Sequence, residues 1–91
     1  MKKNEILEKF TNAFLQEAEL EKWDCNIIDN ITYDTCLFTD LDIKIKDLPN
    51  LFIRVEEEFN MRIPEKEYGH FTHVKDIVNY IYYEKELSKY Y

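Results

Sequence analysis

Glycine occurs once and proline twice in the 91 residues of this chain. Folds built from many tight β-turns draw heavily on both, so their scarcity argues for helices. The only serine is Ser88, near the end of the chain, and no serine–histidine signature or glycine-rich phosphate loop can be traced. The two cysteines, Cys25 and Cys36, lack the close spacing of a metal or redox motif. Two readings of them stay open: reduced, partly buried thiols, or a disulfide that needs an oxidising compartment. Basic residues are outnumbered, 12 Lys and Arg against 19 Asp and Glu, which leaves a net charge of −7. That balance disfavours nucleic acid and anionic membrane surfaces as partners and favours a basic protein surface. No hydrophobic run is long enough to span a bilayer.

Apolar residues make up 45% of the chain, with six Phe, seven Tyr and Trp23 among them. A packed core follows, and disorder does not. The length predicts one domain over 1–91, with 82–91 as a frayed tail or a helical continuation. The opening Met1-Lys2-Lys3-Asn4-Glu5 leads into a charged amphipathic stretch unlike a signal peptide, which predicts a cytoplasmic protein.

The first helix is set by period. Ile6, Phe10, Ala13, Phe14 and Ala18 fall on one face, predicting a helix over 4–20 with Asn4 as N-cap. Residues 21–46 are irregular, with turn chemistry at Asp29-Asn30 and Tyr33-Asp34-Thr35. They read as a long structured loop laying apolar side chains on the core; alternation at Leu41, Ile43 and Ile45 leaves a short strand open. Asp47 and Pro49 mark the start of a second helix, whose core face is Leu48, Leu51, Phe52, Val55 and Phe59 and whose exit is Asn60. Pro64 opens a short helix closed by Gly69. Thr72 caps the last helix, Asp76 lies at its positive end, and Val74, Ile77, Val78 and Ile81 make its core face.

His70 and His73 have no third ligand spaced nearby, and Asp40 and Asp42 lack the glycine and closing glutamate of a calcium loop. No metal, cofactor or enzymatic activity is therefore expected. Glu56, Glu57 and Glu58 read as a solvated helix face, and the tyrosines at 80, 82, 83, 90 and 91 as partly exposed, offering a surface for self-association.

Thr39-Asp40-Leu41, Glu56-Glu57-Glu58-Phe59, Ile63-Pro64 and the run from Val74 to Ile81 stand in order and without gaps over about fifty residues. In this order they resemble the acyl carrier protein family. The resemblance implies an all-α four-helix bundle with a long loop between helices 1 and 2 and a short third helix. It also implies a partner-reading surface on the second helix. Where the family reads Gly, a variable residue, Asp, Ser and Leu, this chain reads Asp42-Ile43-Lys44-Ile45-Lys46. Ile45 thus takes the position of the serine that carries phosphopantetheine, and isoleucine has no nucleophilic atom. Cys36 falls where the family packs a small residue under the loop, predicting a core thiol. Ile45 and the phenylalanines are expected to fill the space the family gives to an acyl chain.

Carrier chemistry is then lost and a docking surface remains, with a protein partner expected and no cofactor. The core face of the second helix leaves Lys46, Asn50, Ile53, Arg54 and Glu57 pointing outward and Glu56 on a flank. Together with Lys44 these are the candidate partner-binding residues, and Ile53 matches the family's exposed apolar contact. Two other roles stay open: a small acidic immunity or antitoxin inhibitor, and an atypical acyl carrier in fatty-acid or polyketide metabolism.

Overall fold

A computed structural model of the chain describes residues 2–21 and 31–88. Cys25, the Asp29-Asn30 turn and the tyrosines at 90 and 91 lie outside the described residues. Among the described residues, three α-helices carry the fold: α1 (Lys3–Glu21), α2 (Leu48–Phe59) and α3 (Val74–Ser88). Ile45–Asp47 and Glu65–His70 form 3₁₀ segments, the second being the short helix expected after Pro64. Gly69 lies inside that segment and not beyond it. Among the described residues there is no strand at 41–45, and the one extended contact is an antiparallel bridge between Cys36 and His73.

The helix faces read from period are the faces that pack. Ile6, Phe10, Ala13, Phe14 and Ala18 of α1 are buried against α2 and α3. Leu48, Leu51, Phe52, Val55 and Phe59 of α2 join them, with Val74, Ile77, Val78 and Ile81 of α3. The loop adds Leu37, Leu41 and Ile43 to the core, with Ile31, Tyr33 and Phe38 packed against it. Between α2 and α3 the rings of Phe52 and Tyr68 stack with centroids 4.5 Å apart, and Phe71 bridges Phe52 to Tyr80. Stacked and edge-on rings fill space well, each pair adding about 0.5–1.5 kcal/mol beyond burial.

The helix ends differ from their sequence-based assignments. Helix α1 already includes Asn4, whose Oδ1 accepts the N–H of Glu5, while the Lys2 carbonyl accepts from Ile6. Asp47 stands at the start of α2 with helical angles (φ −92°, ψ −11°) and makes no side-chain cap, because the 3₁₀ turn runs directly into the helix. At α3 the expected roles are reversed. Thr72 donates both its N–H and its hydroxyl to the Asp76 carboxylate, which also accepts the N–H of His73. The next two donors, Val74 and Lys75, go to the carbonyls of Thr35 and Tyr33 in the loop, each at 2.9 Å. Helix α3 then continues through Tyr82 and Tyr83, whose rings lie 5.1 and 5.8 Å from the Lys3 ammonium.

Asn60 leaves α2 in the left-handed region (φ 52°, ψ 51°), and Asp42 in the loop has φ 54°. Asp and Asn tolerate that region better than branched residues do. Valine at either position is expected to cost about 1–2 kcal/mol and glycine to be tolerated, measured by urea unfolding.

Partial burial pulls the Asp76 carboxyl upward, but the N–H groups of Thr72 and His73, the Thr72 hydroxyl and the charge of His73 outweigh it and hold it below its ordinary value. A carboxyl lowered in the folded state stabilises above its unfolded pKa, and that contribution is lost as pH falls through the range below about 4. Asp76→Asn should therefore lower stability at neutral pH and flatten the acid limb of a stability–pH curve.

Candidate functional site

The loop ahead of α2 is a built structure. The N–H of Cys36 donates to Asp40 Oδ2 at 2.7 Å, and the Cys36 carbonyl accepts from both Asp40 and Leu41. The N–H of Leu37 reaches the Thr72 carbonyl and that of Ile43 reaches the Leu37 carbonyl, tying the loop to the start of α3 and to itself. Asp42 takes the positive φ at the position where the resemblance sets a family glycine, and its carboxylate meets the Lys44 ammonium at 3.1 Å.

Ile45 does not fill the interior. It is 78% exposed at the rim of an apolar pocket of about 390 Å³ whose walls include Phe38, Leu48, Tyr68 and Phe71. Buried Phe52 stacks on Tyr68 and packs tilted against Phe71, two of those walls. Burial, with the carboxylates of Glu56 and Glu65, raises the Tyr68 phenol above its usual value, so it stays protonated.

Of the seven residues proposed for partner binding, Lys44, Lys46, Asn50, Ile53 and Glu57 are exposed. Ile53 is 53% exposed and shares a surface groove with Asn50 and Glu57. Arg54 and Glu56 are different. Arg54 is half-buried, its Nε 2.8 Å from Glu17 Oε2, and it lines the same groove while reaching toward α1. Glu56 is half-buried as well, and its carboxylate accepts the N–H of Ile63 beyond the end of α2.

Two residues of this surface were not read from sequence. Glu17 is 5% exposed and lies at the helical spacing of the core face Phe10–Phe14–Ala18. An acid on a core stripe requires a cation within reach, and that signal was available. Leu20, 64% exposed, borders the same groove from α1.

Cys36 is half-buried and not a core thiol. The hydroxyl and N–H of Thr39 and the N–H of Phe38 donate to its sulfur and lower its pKa, against burial and the charge of Asp40. His73 is held with Nδ1 2.9 Å from the Thr72 hydroxyl. Among the described residues no group of three His, Cys, Asp or Glu is arranged to hold a metal ion.

No family model matches the chain. It is 32% identical over 81 residues to an acyl carrier protein of Lactobacillus acidophilus, covering 89% of this chain and 94% of that protein. Acyl carrier proteins of Borrelia garinii subsp. bavariensis and Borreliella burgdorferi are each 31% identical over the same coverage. The chain belongs to the acyl carrier protein family. Its helical architecture is the one that the family resemblance implied. No helix among the described residues is long and apolar enough to cross a membrane.

The hydrogen bonds to Cys36 make a reactivity test direct. With Cys25→Ser as background, Thr39→Val should raise the Cys36 pKa and slow its alkylation by iodoacetamide at neutral pH several-fold.

Proposed function

We propose that this family member does not carry acyl groups and acts as a cytoplasmic, non-enzymatic protein-binding module, one domain over 1–91, that docks through the outer face of α2 and the loop before it. The observation that carries the reading is Ile45: a hydrocarbon side chain, 78% exposed, at the position the resemblance assigns to the phosphopantetheine serine. The remaining hydroxyl of that type, Ser88, belongs to the last residue of α3, away from the loop in sequence. The lysines at 44 and 46 offer no site for ordinary phosphopantetheine transfer. Exposed Lys46, Asn50, Ile53 and Glu57 supply a mixed-charge surface with an apolar centre, where charge governs partner choice and encounter rate more than affinity. The net charge of −7 favours protein over nucleic acid as the partner.

Intact mass of the protein purified from its native cells tests the first half. An unmodified mass is expected; an added phosphopantetheine or acyl mass would return the chain to carrier chemistry. Partner capture with Lys46→Glu/Ile53→Asp tests the second. Arg54 is left in place because it holds Glu17, so lost capture with unchanged helical circular dichroism would report the surface and not the fold. Capture that survives the double substitution overturns the docking face.

A further inference from the structure

The apolar pocket beside Ile45 has a charge bias. Phe38, Tyr68 and Phe71 give it aromatic walls and buried Leu48 an aliphatic one. Its lining holds a single charged residue, Glu65, exposed in the first turn of the 3₁₀ segment Glu65–His70. Glu65 has no ion-pair partner among the described residues. The lysines nearby in sequence do not line the pocket. Lys44 is paired with Asp42 at 3.1 Å, Lys46 stands beside Asp47 in the 3₁₀ turn before α2, and Lys66 lies between Glu65 and Glu67. The carboxylates of Glu56 and Glu65 both act on the Tyr68 phenol, so negative potential reaches the pocket wall. Apolar walls focus such a field, and the faces of aromatic rings are themselves attractive to cations.

We propose that this pocket binds a small organic ammonium ion, with a hydrocarbon or aryl body against Phe38, Leu48, Tyr68 and Phe71 and the cation at the rim beside Glu65. Burial of the body supplies most of the affinity, because apolar surface leaves water on both sides of the contact. The exposed carboxylate supplies the selection, since it attracts a cation and repels an anion of the same shape. The volume of about 390 Å³ lies in the range of small-molecule sites and takes a phenyl ring with a short alkyl chain. Gly69 leaves one side of the entrance open, for a Cβ there would meet nothing within 4 Å. The charge sets this ligand apart from a free fatty acid, whose carboxylate would face Glu65. The pocket is also distinct from the groove of Asn50, Ile53 and Glu57, so ligand binding here does not depend on the docking of a protein there.

Three probes with one apolar body test the proposal: phenylbutylammonium, phenylbutanol and phenylbutyrate, each titrated into the isotope-labelled full chain and followed by amide chemical shifts. The cation is expected to shift the amides of Ile45, Leu48, Gly69 and Phe71 saturably and to bind roughly threefold or more tighter than the anion, with the alcohol between them. Added salt should narrow the gap between the two ions and leave the alcohol unchanged. Glu65→Gln should remove most of that gap, and Glu65→Lys should narrow it further or reverse it. Glu65 is exposed, so both variants should keep the helical circular dichroism of the wild type. Phenylbutyrate binding as tightly as phenylbutylammonium, a gap unchanged in Glu65→Gln, or no saturable shift at the pocket amides would each overturn the assignment.

Discussion

The start of α3 is where the molecule is tied together. A helix begins with four N–H groups that have no partner in the helix itself. Here the Asp76 carboxylate takes the donor of His73, and the carbonyls of Thr35 and Tyr33 take those of Val74 and Lys75. The exchange runs both ways, since Leu37 donates to the Thr72 carbonyl. A long loop has considerable conformational entropy to lose, and each residue fixed costs about 1–2 kcal/mol. These bonds, with burial of Leu37, Leu41 and Ile43, oppose that loss and hold residues 33–43 of the loop in one shape. The position of Ile45 at the mouth of α2 follows from this anchoring, because Ile43 is bonded to Leu37, which is itself bonded to the α3 side.

A second constraint sets the character of the outer surface. Glu17 is buried between α1 and α2, and Arg54 answers it from α2. An ion pair removed from water gains little net stability, because desolvation offsets the attraction, but leaving one member alone is unfavourable. The pair therefore fixes how the two helices align more than how strongly they adhere. It also holds the Arg54 side chain along the edge of the groove that Asn50, Ile53 and Glu57 line, so the surface beside Glu57 carries both signs of charge.

Much of this fold was legible in sequence because burial on a helix has a period. Every residue assigned to the core faces of the three α-helices is buried. The αL exit at Asn60 was legible too, from the local chemistry of that side chain. Caps were less so: Asp47 and Thr72 have the right side chains, yet the 3₁₀ turn before α2 and the carboxylate of Asp76 changed who donates to whom. Propensity names the residues able to cap, while the approach of the preceding chain decides whether they do. Arg54 is half-buried for a related reason. A helical wheel places it outside, but a long side chain can turn back toward a buried acid on another helix, and the wheel of α2 contains no information about α1. Glu17 carried that information on its own wheel.

At Asp42 and Ile45 the backbone path and the side-chain chemistry of the loop are set by different residues. Asp42 takes a positive φ where the resemblance places glycine, a conformation this residue tolerates, and it salt-bridges Lys44. At the position the resemblance assigns to the serine stands Ile45, exposed at the rim of an apolar pocket. A lone exposed hydrocarbon is ordinary on a protein surface, so the distinctive feature here is its setting: Phe38, Leu48, Tyr68 and Phe71 wall the apolar pocket beside Ile45, and Asp42 pairs with Lys44 just before it in the chain.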